Sequence, residues 1–369
     1  MTDHQDNTYS WLALSLIPGL GNILLRRLLD EFGSPEAVFG VGFSELIKIK
    51  GVREAVARKI IKRQFVSDPE KELRKLEELN ARVITFFDFT YPPFLKEIYN
   101  PPMTLFTRGK EISSQQIFIA VVGSRNPTHY GQQVAEEISA GLARRGIGVV
   151  SGLARGVDSA AHWGCLRNNG FTIAVIGTGI DLVYPAINNK LFERIIESGA
   201  VITEFPLGTP PEARNFPIRN RIISGLGRGV LVVEAARKSG SLITASFALD
   251  QGREVFAVPG SIHSFKSTGT HFLIKQGAKL VENAEDILND LGFGYGPLQK
   301  GGSVNDTSTV TGNLNAGEKK IYDIIGDYPM HIDQIVRAGD MDSGMVLSVL
   351  MKMELEGLIK QLPGKMFVR

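Results

Sequence analysis

Fifteen residues, Glu212–Leu226, read EARNFPIRNRIISGL and bring together three arginines (Arg214, Arg219, Arg221), one aromatic ring (Phe216) and two amides (Asn215, Asn220). Guanidinium groups bind phosphate through paired, charge-assisted hydrogen bonds. An aromatic ring offers a face on which any nucleobase can stack. No acidic residue lies between Glu212 and Glu234 in the sequence. The stretch is therefore a local cationic patch, and it reads as a loop leading into the apolar run GVLVV. The whole chain of 369 residues has a net charge of only +2, so no global field attracts a polyanion and any such site must be local.

The elements that would position this patch recur between residues 81 and 290. Short apolar runs (ARVITFF, IFIAVVG, GIGVVSG, FTIAVIG, AVITEF, GVLVVEA, EVFAVPG) alternate with amphipathic helical stretches. Near-continuous Val/Ile strands separated by helices indicate a parallel sheet covered on both faces. Ligands of such sheets bind beyond the carboxyl ends of the strands. The residues found there are Gly123-Ser124-Arg125, the run Ser151 to Asp158 with Arg155, Gly177-Thr178-Gly179, Glu204, Glu234 followed by Lys238-Ser239-Gly240-Ser241, and Pro259-Gly260-Ser261. Glycines permit close approach to the backbone, while hydroxyls and free helix N-terminal N–H groups donate to phosphate oxygens. The expected ligand is phosphate-rich.

Several functions are disfavoured. The first strand is followed by GSRNPTHYG, which lacks the dinucleotide fingerprint. GSIHSFKS, Gly260 to Ser267, approaches a nucleotide-triphosphate loop but has Phe265 where a second glycine is needed. Asp158, Glu204 and Glu234 are candidate acid–base groups; Asp158 reads better as a helix cap, and the two glutamates equally well as partners for the arginines. Ser159 and His162 have no third group to orient them. Cys165 is the single cysteine, and the six histidines show no metal-ligand spacing. No metal, cofactor or catalytic residue is expected.

The outer segments differ. Residues 1–80 read as helices with a Pro18-Gly19-Leu20-Gly21 turn and a weaker turn at Lys50-Gly51-Val52, a pattern similar to paired helix-hairpin-helix units. Residues 291–317 are rich in Gly, Ser, Thr and Asn, as in a flexible linker. Residues 318–369 read as three helices and a β-hairpin, a winged-helix pattern, with seven Lys/Arg against eight Asp/Glu. Its third helix is largely Met, Leu and Val, which suits partner docking better than base reading. The polar start is unlike a signal peptide and no apolar run spans a bilayer, so a cytoplasmic location and no membrane partner are expected.

The order of VVGSRNPTHYG, SGLARGVDSAAH, GTGIDLVYP, NFPIRNRIISGL, VEAARKSGSLITA, VPGS and GTHFLIKQGA resembles the DprA (Smf) family of bacterial DNA-processing proteins, densely over 81–290. The resemblance implies a Rossmann-like core between a helical domain and a winged helix. It implies a cytoplasmic, non-catalytic binder of single-stranded DNA that protects incoming strands and loads the RecA recombinase during natural transformation. The DNA residues it implies are Gly123, Ser124, Arg125, Phe216, Arg219, Asn220 and Arg221, with Lys190 after the Tyr-Pro turn and Arg155 from the strand-end reading. It also implies a homodimer through the region of His271, Ile274 and Leu280. The fold resembles nucleotide-cleaving phosphoribohydrolases too, but their catalytic Glu has no counterpart after Gly269-Thr270-His271-Phe272.

Overall fold

A computed structural model describes residues 2–293, 315–326, 329–356 and 358–368. The chain forms two compact units, one extending to Leu291 and a second containing the C-terminal winged helix. The expected linker lies almost wholly outside the described residues, although Ala316 and Gly317 already belong to a helix.

The first unit opens with six helices: α1 (Thr2–Ser15), α2 (Asn22–Phe32), α3 (Pro35–Gly40), α4 (Phe43–Leu46), α5 (Glu54–Ile61) and α6 (Pro69–Glu78). Two of the turns contain the glycines read from the sequence, Gly19 and Gly51, both at positive φ. The basic residues beside these turns tie the two together. Lys59 Nζ donates to Pro18 O at 3.2 Å and Arg27 Nη1 to Lys50 O at 2.7 Å.

A nine-stranded sheet follows, of β1 (Ala81–Thr85), β2 (Thr104–Gly109), β3 (Phe118–Val122), β4 (Gly148–Ser151), β5 (Thr172–Val175), β6 (Ala200–Thr203), β7 (Gly229–Val232), β8 (Glu254–Ala257) and β9 (Lys279–Leu280). Its helices are α7 (Pro93–Lys96), α8 (His129–Arg144), α9 (Val157–Arg167), α10 (Asn189–Ser198), α11 (Asn215–Leu226), α12 (Gly240–Asp250), α13 (Thr268–Lys275) and α14 (Ala284–Asp290). The spatial order is β1-β2-β6-β5-β4-β3-β7-β8-β9. From β6 to β9 every pairing is parallel. The run ARVITFF differs from the expectation: β1 pairs antiparallel with β2, and β2 antiparallel with β6. No crossover helix long enough to return the chain in parallel separates β1 from β2, so the pair extends the sheet as a ribbon.

Alternation along the strands feeds two cores. Ile173 and Val175 join a cluster with Ile222, Ile223 and Leu226 of α11 and Ala245 and Ala248 of α12. Their neighbours Ala174 and Ile176 join another with Leu191, Phe192 and Ile195 of α10. Both faces are therefore covered, which is why these strands read as continuous apolar runs.

The second unit contains α15 (Ala316–Ile324), β10 (Met330–His331), α16 (Ile332–Gly339), α17 (Ser343–Leu355), β11 (Lys360–Leu362) and β12 (Met366–Val368). Strand β12 pairs with both β10 and β11. The short β10 was not expected from the sequence. Met345, Leu347, Met351 and Leu355 of α17 are exposed.

Candidate nucleic-acid interface

The strand order reverses direction at β3, whose neighbours are β4 and β7. Crevices open at such reversals because the connections leave on opposite sides. Here one holds about 850 Å³ and is lined from β3 by Gly123, Ser124, Arg125 and Asn126, and from beyond β7 by Lys238, Ser239, Gly240 and Ser241. Phe216, Pro217, Arg219 and Asn220 of α11 close one wall, with Tyr184 beside them and Phe265 and Lys266 at another point of the rim.

The opening stretch is a helix where the sequence reading expected a loop. Helix α11 begins at Asn215, and Asn215 Nδ2 donates to Gly177 O and Pro210 O at 3.2 and 3.3 Å. The turn of the helix then sorts its three arginines. Arg214, just before it, is exposed and paired with Glu212 at 2.5 Å. Arg219 is only 4% exposed and donates from Nη1 to Val175 O at 2.8 Å. Arg221 is turned to the other side and paired with Glu204 at 2.6 Å, the two side chains 9% and 10% exposed. The absence of acidic residues along the sequence is thus overridden in space by Glu204, Glu212 and Asp158.

Asp158 lies within α9, one residue past its start, and does not cap its own helix. Its Oδ2 accepts from the backbone N–H groups of Gly152 and Ala154 at 3.2 and 3.3 Å. Burial raises its carboxyl pKa, and the Arg219 charge opposes that rise. Burial in turn lowers Arg219 to about 10, so it stays charged at neutral pH. Gly152 is needed between them: a Cβ there would strike the Arg219 guanidinium and lie 2.7 Å from Asp158 Oδ2. Gly177 is needed for a similar reason, since a Cβ would meet Phe216 Cδ1 at 3.0 Å.

Phe216 is the hub of the wall. Arg125 Cζ lies 5.4 Å from its ring centroid and Arg219 Cζ 5.9 Å, within cation–π range. The Tyr184 ring is 5.8 Å away, tilted by 36°. Asn220 Nδ2 reaches Gly240 O at 3.4 Å, linking α11 to the first turn of α12, where Ser239 accepts from Ser241 N. The first turns of α11 and α12 both contribute to the lining, which adds positive partial charge to the Arg125, Lys238 and Lys266 side chains. Asp158 is the one carboxylate among the lining residues.

Of the residues expected at a DNA site, the fold brings Gly123, Ser124, Arg125, Phe216, Arg219 and Asn220 into this cleft. It does not bring Arg155, Lys190 or Arg221 there. Arg155 is exposed in the turn before α9, and Lys190 is exposed in the first turn of α10. Sequence reasoning placed Lys238 at the strand-end edge without naming it as a DNA contact, and did not assign Tyr184, Phe265 or Lys266 to the site. Lys238 was visible as the start of a helix after a strand, and Tyr184 only as part of a Tyr-Pro turn. Of the expected dimer residues, His271 turns inward, its Nε2 3.0 Å from Gly260 O, and Ile274 packs on the sheet core. Leu280 is exposed on the edge strand β9.

The remaining chemical candidates are engaged within the fold. Ser159 Oγ donates to Ala154 O at 2.6 Å, whereas His162 Nδ1 is 2.7 Å from Thr172 Oγ1. Cys165 is buried and its thiol is pushed up to about 12. Among the described residues no group of three His, Cys, Asp or Glu side chains is placed to hold a metal ion, and no helix is long and apolar enough to cross a membrane. Burial lowers His162 from 6.5 to about 3. A depressed histidine is neutral in the fold, so protonating the unfolded chain below pH 6.5 favours unfolding, and this loss continues down to the folded value. Stability is therefore expected to fall by about 2 kcal/mol from this group between neutral pH and pH 5. Urea unfolding of the wild type and of His162→Gln at both pH values measures it as the difference in pH dependence.

The chain thus combines a doubly wound α/β domain, with a cleft at its switch point lined by Arg125, Lys238 and Lys266, and a winged helix. The chain belongs to the DprA/Smf family of DNA-processing proteins: residues 82–292 match the model for DNA recombination-mediator protein A, and residues 306–365 match the DprA winged helix domain. It is 36% identical to Protein Smf of Synechocystis over 97% of this chain and 98% of that one. It is 42% identical to the DNA processing protein DprA of Streptococcus pneumoniae over 74% and 95% of the two chains. The X-ray structure of the pneumococcal protein superposes with a TM-score of 0.67 at 38% identity, covering 76% of this chain and 95% of that one. The Helicobacter pylori DNA processing protein A, whose structure was described for its single-stranded DNA binding mode, superposes at 0.52 with 28% identity, over 58% and 98%.

Proposed function

We propose that this protein binds single-stranded DNA in the switch-point cleft, without catalytic turnover, and that it protects incoming strands and loads the RecA recombinase during natural transformation. One observation supports the reading above all: three accessible cationic side chains and two helix N-termini surround an aromatic wall, with a single carboxylate that faces a buried arginine. Phosphates then lie on Arg125, Lys238 and Lys266, and bases lie toward Phe216 and Tyr184. Fluorescence anisotropy with labelled single-stranded and duplex oligonucleotides over a salt series tests it. The expected result is tight, strongly salt-dependent binding of the single strand with little base preference. Equal or stronger binding of the duplex would overturn the assignment.

The hydrolase reading has less support. Glu204 is committed to Arg221 and to Asn22, whose Nδ2 lies 3.1 Å from its Oε2, and neither Glu204 nor Glu234 lines the cleft. Incubation with nucleoside monophosphates is expected to release no free base, as read by chromatography. Release of base that Asp158→Asn abolishes would favour an enzyme.

The homodimer is proposed at the far edge of the sheet, where Leu280 and Phe272 are exposed and Arg237 lies 5.2 Å from the Phe272 ring centroid. Leu280→Arg is expected to convert a dimer to a monomer in sedimentation velocity while leaving the melting temperature nearly unchanged.

A further inference from the structure

Phe265 is 69% exposed, on the rim of the cleft. It opens a single 3₁₀ turn, Phe265–Ser267, that leads into α13. A large aromatic side chain displayed on a mobile tip would be unremarkable, but this turn is fastened at several points. Ala235 N donates to Lys266 O at 2.8 Å and Gly269 N to Ala235 O at 2.7 Å, which fixes the turn to the carboxyl end of β7. Thr268 Oγ1 donates to Phe265 O at 2.6 Å, and Ser267 is buried. Lys266 Nζ donates to Asn126 O at 2.6 Å, which fixes the turn to the end of β3 as well. Phe265 is thus held in place by its own backbone, and the one donor that Lys266 uses leaves two of the three on its ammonium for a ligand.

The same cleft already has an aromatic pair, Phe216 and the partly exposed Tyr184. Arg125, Arg219 and Tyr184 lie 5.4, 5.9 and 5.8 Å from the Phe216 ring centroid, which limits how much ring it can show to a base. Phe265, next to Lys266, provides what that wall lacks: an open π-face adjacent to a cation. A single strand alternates flat bases with anionic phosphates, so an exposed ring beside an ammonium on a rigid turn matches one nucleotide repeat. We propose that Phe265 is a second base-stacking platform, with Lys266 holding the adjoining phosphate, so that the strand is gripped at two aromatic points of the cleft. The inference rests on the reading of the cleft as a single-strand site and names how that site holds its bases.

The test compares Phe265→Ala, Phe265→Leu and Phe265→Trp with the wild-type protein on two fluorescein-labelled probes: an oligothymidylate and an abasic deoxyribose-phosphate strand of the same length. Stacking of one base is expected to make the alanine and leucine variants bind the oligothymidylate about 5- to 100-fold more weakly. The tryptophan variant should bind like the wild type. All four proteins should bind the abasic strand within about twofold and keep the same salt slope, because the phosphate contacts are unchanged. Retained oligothymidylate affinity in Phe265→Ala overturns the platform, and so does an equal loss on both probes, while the single-strand site itself stands. Failure of the wild-type protein to bind the oligothymidylate overturns that site, and the platform with it. The leucine variant keeps an apolar side chain at this exposed position, so a folding defect in the alanine variant alone leaves the comparison intact.

Discussion

Alanine at Arg125, Lys238 and Lys266 together is expected to weaken single-strand binding by about 100-fold, on the basis of roughly 1 kcal/mol for each lost charge-assisted contact. The slope of log affinity against log salt should flatten by about 2, since each phosphate contact on a single strand contributes roughly 0.7 to it. The loss should be the same for all sequences, because phosphate contacts carry no base information. Arg125 alone should account for the largest share. It packs on Phe216 as well as lining the cleft, so its removal also takes away a contact that holds the aromatic wall. Anisotropy at several salt concentrations measures both quantities. An unchanged slope would mean that the phosphates lie elsewhere.

The second large effect is on stability. Arg221→Ala removes the partner of Glu204 and leaves a carboxylate that is 10% exposed without its cation. Breaking a buried pair from one side costs about 3–5 kcal/mol. The site is demanding already: among the described residues, Glu204 Oε1 and Arg221 Nε and Nη1 find no hydrogen-bond partner. Nearby Tyr91, whose hydroxyl donates to Pro102 O at 2.8 Å, has its pKa raised mainly by burial. The pair also connects parts of the first unit, because Glu204 accepts from Asn22 of α2 and Asn22 Oδ1 accepts from Met103 N at 3.0 Å. Thermal and urea unfolding should show the loss, and the double substitution Arg221→Met with Glu204→Leu should recover most of it, since no unpaired charge remains. The affinity of the folded variant for a single strand should stay within about twofold, because Arg221 does not line the cleft. A large loss of affinity without a loss of stability would restore Arg221 to the binding surface, where the family resemblance placed it.

The contrast between Arg219 and Arg221 shows where sequence reading stops. Both lie in one run of fifteen residues, and both look equally available to a ligand. A helix turns each residue by about 100°, so positions two apart face nearly opposite ways. One therefore lines the cleft and the other enters an ion pair with a residue seventeen positions earlier. The same reasoning explains Lys266 and Phe265. Their sequence context is a failed nucleotide-binding loop, and only the closure of the sheet brings them beside Asn126 of another strand end. His271, expected at a dimer surface, also has its Nε2 3.0 Å from Gly260 O of its own chain.

The sequence by itself determined the layered α/β architecture, the strand-end chemistry, the winged helix and the family. Each of these is written in local features: period, glycine placement and the linear order of motifs. Only the tertiary structure decided which charges survive to meet a ligand. Neutralisation depends on distances between residues far apart in the chain, and the acidic partners of two of the three clustered arginines, Glu204 for Arg221 and Asp158 for Arg219, come from other strand ends. The antiparallel β1–β2 ribbon was likewise out of reach, because an apolar run specifies a buried strand but leaves its direction to the length of the connection that follows.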